Sequence, residues 1–328
     1  MYIEYAWINY VLAHDTLGGD WGVKVGQFKN PVFHEEEATA DNSLLLVERS
    51  MADNLAGGNS LAGPYVEGLN LQYTGKDNPL HTQTTFSDGD GSQGTNFTDV
   101  TSASPALLGA PSTVTTDKFG ASYRVDYKFF GDWVDNTDAT GKNSGKTDFL
   151  AVGAGLAFDQ SDTAVSTVTG TGSPIALTTT TVHTGTNVLR WDADGTYLAS
   201  KQFIIYGSFS GDYEEFRGAV AGRNERTDLA ELLQAGYFLD PAWELTARGS
   251  LVESDDHFKT GGESTFDELG VGLNYFLGDQ GDAGNHAKIA GDINYLTNGT
   301  PGIAGLGYQA QAGARGEVVA RLMFQIWL

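Results

Sequence analysis

Apolar and polar residues alternate with a period of two in run after run along this chain. In KFGASYRVDYKFF, Phe119, Ala121, Tyr123, Val125, Tyr127 and Phe129 are apolar or aromatic, and Gly120, Ser122, Arg124, Asp126 and Lys128 lie between them. AWELTARGSL sets Trp243, Leu245, Ala247 and Leu251 against Glu244, Thr246, Arg248 and Ser250. FDELGVGLNYFL and HAKIAGDINYL repeat the pattern, with Leu269, Val271, Leu273, Ile289, Ile293 and Tyr295 against Glu268, Asn274, Lys288, Asp292 and Asn294. The chain closes on GEVVARLMFQIWL, where Val318, Ala320, Leu322, Phe324, Ile326 and Leu328 alternate with a mixed set containing Glu317, Arg321 and Gln325. A period of two is that of a β-strand with one apolar face and one polar face.

Such runs predict about thirteen strands, at 2–12, 21–30, 64–74, 79–88, 117–129, 147–158, 186–197, 201–213, 228–239, 243–253, 265–277, 285–297 and 316–328. Most span roughly 10 to 13 residues, longer than the five or six of soluble domains and long enough, when tilted, to cross a hydrocarbon core. The connections alternate in length. Counted back from the C-terminus, those at 278–284, 240–242, 198–200, 75–78 and 13–20 are short, and those at 298–315, 254–264, 214–227, 159–185, 89–116 and 31–63 are long. Short periplasmic turns and long external loops are the signature of an outer-membrane barrel. The exception is the polar stretch 130–146, which belongs to the periplasmic set and is read as hiding part of a strand. The external stretches 89–116 and 159–185 are rich in Ser, Thr and Gly and read as mobile surface loops.

The expected fold is therefore all-β, a transmembrane antiparallel β-barrel forming a single domain over 1–328. By parity the first strand starts on the external side, whereas bacterial single-chain barrels have an even number of strands and start in the periplasm. The expectation is that N-terminal strands precede this sequence.

Composition narrows the functional classes. No apolar run approaches the roughly 20 residues of a transmembrane helix. With 42 Asp and Glu against 19 Lys and Arg, there is no basic patch for nucleic acid. The chain has no Cys, so neither a disulfide framework nor a Cys-based metal site is available. HEEE at 34–37 carries potential metal ligands, but a structural or solvated role is favoured. DGDG at 88–91 and DADG at 192–195 lack the full spacing of a calcium loop and read as Asp-Gly turns. No G-x-S-x-G elbow accompanies the six His, so no enzyme, cofactor or metal centre is expected.

The stretch YIEYAWINYVLAHDTLGGDWGVKVGQFKNPVFHEE resembles a hairpin of the phosphate-selective porin O and P family, in which an aromatic-rich strand leads to one ending in Gly-Gln-Phe-Lys-x-Pro-Phe. Gly26, Gln27, Phe28, Lys29, Pro31 and Phe33 correspond, with Val32 inserted, and LLLVERSMADNL followed by Gly68 continues the likeness. The resemblance implies a 16-stranded homotrimeric porin of the bacterial outer membrane, with its motif well inside the chain. It makes 31–63 the third external loop, the one that narrows the pore in general porins.

That loop offers Phe33, Leu44, Leu45 and Leu46 for packing on the inner wall, and Glu35, Glu36, Glu37, Glu48 and Arg49 as channel-facing charges. With Lys24, Arg124, Asp126, Lys128, Arg248 and Arg321 on the proposed inner faces, these are the expected pore-lining and constriction residues. Other charges assigned to inner faces are Glu231, Glu244, Glu268, Lys288, Asp292 and Glu317. Phosphate-specific members use Arg ladders and Lys clusters, which nine Arg and ten Lys spread over the whole chain do not supply. The expected function is passive diffusion of ions and small hydrophilic solutes, leaning weakly to cations, with outer-membrane lipid around the barrel. The alternatives are a barrel anchor or adhesin displaying its loops, and an anion- or phosphate-selective porin.

Overall fold

The computed structural model describes residues 6–37, 39, 41–56, 65–76, 78–89, 111–142, 148–171, 176–199, 202–220, 223–255, 263–299, 308 and 315–327. Among these residues, thirteen strands run in chain order through one antiparallel sheet, each hydrogen-bonded to its sequence neighbours. They are β1 (Ala6–Thr16), β2 (Gly19–Lys29), β3 (Tyr65–Gly75), β4 (Leu80–Ser87), β5 (Pro111–Phe130), β6 (Phe149–Thr171), β7 (Ala176–Ala199), β8 (Phe203–Val220), β9 (Arg223–Asp240), β10 (Trp243–Glu253), β11 (Thr265–Phe276), β12 (Ala287–Asn298) and β13 (Arg315–Ile326). Every strand expected from the alternation is present. No helix among the described residues is long and apolar enough to cross a membrane.

The sheet has inverted polarity. Leu245, Leu269, Val271, Ile293, Val318, Leu322 and Phe324 are exposed on its outer face, and Leu322 is 82% exposed. The other face buries Arg124, Asp126, Glu244, Arg248, Glu268, Lys288 and Asp292. In water this arrangement would be disastrous; in a bilayer it is required, because hydrocarbon solvates the outside and the sheet itself satisfies the backbone. Cross-strand register puts Trp243 beside Tyr275 in one outward row, with ring centroids 4.6 Å apart, and Tyr295 three rows further toward the external side. Aliphatic residues fill the rows between these aromatics, as expected of a lipid-facing band edged by interfacial rings.

Several sequence expectations are corrected. The stretches 159–185 and 214–227 are not loops for most of their length: β6 and β7 pair from Phe149↔Leu198 to Thr171↔Ala176, and β8 and β9 pair out to Val220↔Arg223. Thr-rich sequence favours strand by β-branching but lacks the apolar–polar contrast that marks a lipid-facing one. DADG at 192–195 is no turn; it lies within β7, where the alternation points Asp192 and Asp194 inward. Glu231 is exposed on the outer face in the row of Phe209 and Leu251, so it is not a lumen charge. The stretch 130–146 shows a 3₁₀ turn at Trp133–Thr137 rather than a strand among its described residues. Most of the 89–116 loop lies outside the described residues, as do parts of 254–264 and 298–315.

Candidate functional site

The connection from β2 to β3 enters the interior. It carries two short helices, α1 (His34–Glu37) and α2 (Met51–Ala56), and residues 57–64 lie outside the described part. Its apolar side chains pack on the inner wall in three groups. Val32 and Phe33 meet Ala157 of β6. Leu45 and Leu46 join Phe149, Ala151, Leu198 and Ile204 of β6, β7 and β8. Met51 and Ala52 join Tyr206, Ala230, Leu232, Val252, Phe266 and Leu296 of β8 to β12. Inner-face glycines leave room for this approach: a Cβ on Gly155 would lie 2.3 Å from the Val32 carbonyl oxygen, and one on Gly270 would lie 2.9 Å from a Leu46 methyl.

An irregular segment at this depth exposes peptide groups that no strand satisfies, and each must find a partner in protein or water. The charged inner wall supplies them. Arg124 Nη1 donates to Val32 O at 3.0 Å, and Asp192 Oδ2 accepts the His34 N–H at 3.2 Å. Lys288 Nζ donates to Leu44 O at 2.9 Å, Asn274 Nδ2 to Leu45 O at 3.0 Å, and Gln325 Nε2 to Asn42 O at 2.9 Å. Asp292 Oδ2 accepts Val47 N–H at 2.9 Å, Arg248 Nη1 donates to Glu48 O at 2.9 Å, and Glu268 Oε2 accepts Met51 N–H at 2.9 Å. From β5 to β13, wall side chains hold the loop backbone from 32 to 51.

The same charges neutralise one another. The Arg124 guanidinium, 1% exposed, lies 2.7 Å from Asp126, 3.5 Å from Asp192 and 2.6 Å from Asp194, and its Nη2 is 3.2 Å from His34 Nδ1. His34, Asp126 and Asp194 present ligand atoms within 4.8 Å of one another. The Arg124 Nη2 is in hydrogen-bonding reach of all three and supplies the positive charge there. Arg248 pairs with Glu268 at 3.0 Å and lies 4.0 Å from Glu35, which accepts the Ser50 N–H and hydroxyl. Arg321 pairs with Asp292 at 2.8 Å.

The expected site residues therefore fall into distinct environments. Glu36 pairs with Lys29 at 3.0 Å and Arg49 at 2.8 Å, and Arg49 also donates to the carbonyls of Glu35, Glu36 and Thr39. Glu48 is half-buried, and burial raises its carboxyl pKa above the ordinary range. Lys24 stands 5.4 Å from the Trp7 ring and 5.5 Å from the Phe28 ring, and Lys128 lies 5.1 Å from the Trp133 ring. Glu37 belongs to α1, and its side chain lies outside the described residues.

Sequence reasoning missed a second inward segment. After β5 the chain turns back at the periplasmic mouth, where Ala139 joins the Leu45 and Leu46 cluster and Thr137 O accepts the Ser43 hydroxyl at 3.0 Å. Buried Asp138, Thr140 and Asn285 bond one another beside it. A cavity of about 290 Å³ lies under Trp133, lined by Gln72, His81, Gln83, Arg124 and Asp126. The polar composition of 130–146 signals a solvated turn, and its apolar Ala139, buried, and Trp133, partly buried, are the hint of docking.

Residues 2–146 match the family model described as phosphate-selective porin O and P, which bears out the resemblance carried by the GQFK hairpin. No curated protein matches. Among solved structures, the chain is similar to the outer membrane channel DcaP of Acinetobacter baumannii, with TM-score 0.46 and 10% identity, over 93% of this chain and 74% of that one. It is also similar to outer-membrane expressed OmpT of Vibrio cholerae, with TM-score 0.44 and 11% identity, over 95% of this chain and 77% of that one.

Proposed function

We propose that this chain, a porin of the bacterial outer membrane, passes small hydrophilic solutes and ions by passive diffusion, with a weak preference for cations. The constriction is formed by residues 31–56 against the inner wall, and the working assembly is a homotrimer set in outer-membrane lipid. Lys24, Glu35, Glu36, Glu48, Arg49, Arg124, Asp126, Lys128, Arg248 and Arg321 are the charges whose field a permeating ion meets.

One observation supports the cation preference. Arg49, Arg124, Arg190, Arg226, Arg248 and Arg321 each pair with at least one carboxylate, whereas the buried Asp212 and Glu214 carboxylates make no ion pair within 4.0 Å among the described residues. A phosphate path needs guanidinium groups whose charge is not already met, and here each of these guanidinium groups has at least one donor nitrogen on a carboxylate. At physiological salt the screening length is about 8 Å, so charges inside the lumen set selectivity and distant surface charges contribute little.

Reversal potential across a planar bilayer in a KCl gradient tests this reading. A modest potential of cationic sign is expected. Anionic selectivity that disappears on neutralising Lys24 and Lys128, the inner-face cations seated over rings rather than on carboxylates, would restore a phosphate path. Absence of conductance from a folded barrel would favour an anchor.

A further inference from the structure

Beside the loop seat the inner wall changes chemistry. Register aligns Gln72 of β3, Gln83 of β4 and Arg124 of β5 in one inner row, and Thr74, His81 and Asp126 in the next row toward the periplasm. Asn70 and Thr85 form the row on the other side. From Asn70 to Thr74 and from His81 to Ser87, the inner faces of β3 and β4 carry amides, hydroxyls and one imidazole, with no Lys, Arg, Asp or Glu. The 3₁₀ turn at Trp133–Thr137 covers these rows, and the cavity of about 290 Å³ lies between turn and wall.

The two charged groups in the lining of that cavity already have counter-charges. Arg124 meets Asp126 at 2.7 Å and Asp194 at 2.6 Å, and the second Asp126 oxygen lies 3.3 Å from His81 Nδ1. The neutral groups are less engaged. Gln83 Oε1 accepts from the amides of Gln72 and Asn70, each at 3.3 Å. The Gln83 amide nitrogen, the Gln72 amide oxygen, the Thr74 hydroxyl and the Asn136 amide make no hydrogen bond among the described residues. Yet Gln83 is 3% exposed and Asn136 is 8% exposed. Buried amides are normally paired with protein, ordered water or a ligand. Trp133 adds an apolar wall, its Nε1 donating to Gly75 O at 3.2 Å. Lys128 sits 5.1 Å from the centre of that ring and is not part of the lining.

We propose that this cavity binds a small neutral polyol, of the size of one sugar ring, on the periplasmic side of the constriction. A hydroxyl both donates and accepts, so neighbouring hydroxyls serve the Gln83 donor, the Gln72 acceptor, and Thr74 and Asn136, which do both. The C–H face of the solute packs on the indole. An anion finds no unmet positive charge in the lining, and a cation finds no unmet carboxylate. The volume is at the lower limit for ligand cavities, which restricts the solute to about one ring. The site deepens the diffusion reading above and rests on hydrophilic solutes entering the lumen.

Saturation-transfer NMR titration of the purified full chain in detergent tests the site, with D-glucose and mannitol as probes and inorganic phosphate as competitor. We expect saturable binding of at least one probe with a Kd on the order of 10⁻³ M, not displaced by phosphate. Gln83→Met, which removes the amide at nearly constant length, should weaken it about 5- to 10-fold, and Glu231→Gln on the outer face should leave it unchanged. Binding of neither probe, displacement by phosphate, an unchanged titration in Gln83→Met, or an equal loss in Glu231→Gln overturns the site. Heat-modifiable migration reports folding; if Gln83→Met does not fold, Thr74→Val, which removes one hydroxyl at nearly constant shape, carries the same direction and the same refutation. A barrel that binds glucose without conducting ions keeps the site and loses the passage reading. One that conducts without binding either probe does the opposite.

Discussion

Arg124 Nη1 and the carbonyl oxygen of Val32 are 3.0 Å apart, joining residues 92 positions distant in the chain. The contact ties the barrel wall to the loop inside it, and the same guanidinium is held from its other edge by Asp126 and Asp194. Charge on the inner face thus serves as a scaffold for a backbone that no strand accompanies. Its residual field acts on whatever passes.

Replacing Arg124 by Met keeps most of the volume and removes the charge. Asp126, Asp192 and Asp194 would then share a buried space without their common partner, and the Val32 carbonyl would lose its donor. Breaking a buried ion pair from one side costs about 3 to 5 kcal/mol. Urea unfolding of the refolded barrel should show a loss of that order, with earlier proteolytic cleavage in 31–56. An unchanged midpoint and cleavage rate would mean that the loop is held without Arg124.

Gly155 tests the loop seat without touching a charge. Because an added Cβ would meet the Val32 carbonyl at 2.3 Å, Gly155→Val must push the loop backbone off β6. Overpacking of this kind costs about 1 to 3 kcal/mol. The barrel should still assemble, since its outer face and ladder are untouched, but single-channel conductance should change in size or become noisier. Conductance identical to the parent would place the narrowest point elsewhere.

How far the sequence reveals this molecule depends on the solvent that each residue faces. Where a strand has lipid on one side and water or loop on the other, as in Tyr123–Arg124 or Leu245–Thr246, the alternation is sharp and the strand is legible. Where β6 and β7 run on through TAVSTVTGT and ALTTTTVHTG the composition is nearly uniform, and only the β-branched Thr hint at the strand. Glu231 has the same sequence contrast as a lumen residue, but register sets it outward beside Phe209. Inward charges such as Arg248, Glu268 and Asp292 are readable as inward, but their partners Glu48, Met51 and Val47 lie some 200 residues away or more, and no local pattern encodes them. The same blindness concealed His34 with Asp192.

The loop should hold more firmly in mild acid. Burial, followed by the nearby Glu36 and Glu35 carboxylates, raises the Asp53 carboxyl well above its ordinary value of 3.8. Between the ordinary and the raised value the folded protein retains a proton that the unfolded chain has released. Stability therefore falls as pH rises through that interval and returns as pH drops. Burial raises Glu35 and Glu48 in the same direction. Asp53→Asn should raise the urea midpoint at pH 8 and shrink its gain on moving to pH 5; a pH dependence equal to the parent's would assign the effect to other groups.

The last prediction concerns which face meets lipid. Leu322 points outward one row from that of Trp243 and Tyr275 and two rows from that of Tyr295, while its neighbour Met323 points inward and is only partly exposed. A lysine on the lipid face costs about 2 to 4 kcal/mol near the midplane and far less where water reaches it. Leu322→Lys should therefore lose that much in reversible unfolding from lipid vesicles. Met323→Lys, one inner row from the lumen carboxylate of Asp292, should lose little. Phe324 lies one row nearer the periplasmic aromatics, so a lysine there should cost less than at Leu322, its ammonium reaching the interface. Equal tolerance at Leu322 and Met323 would contradict the inverted polarity on which the barrel rests.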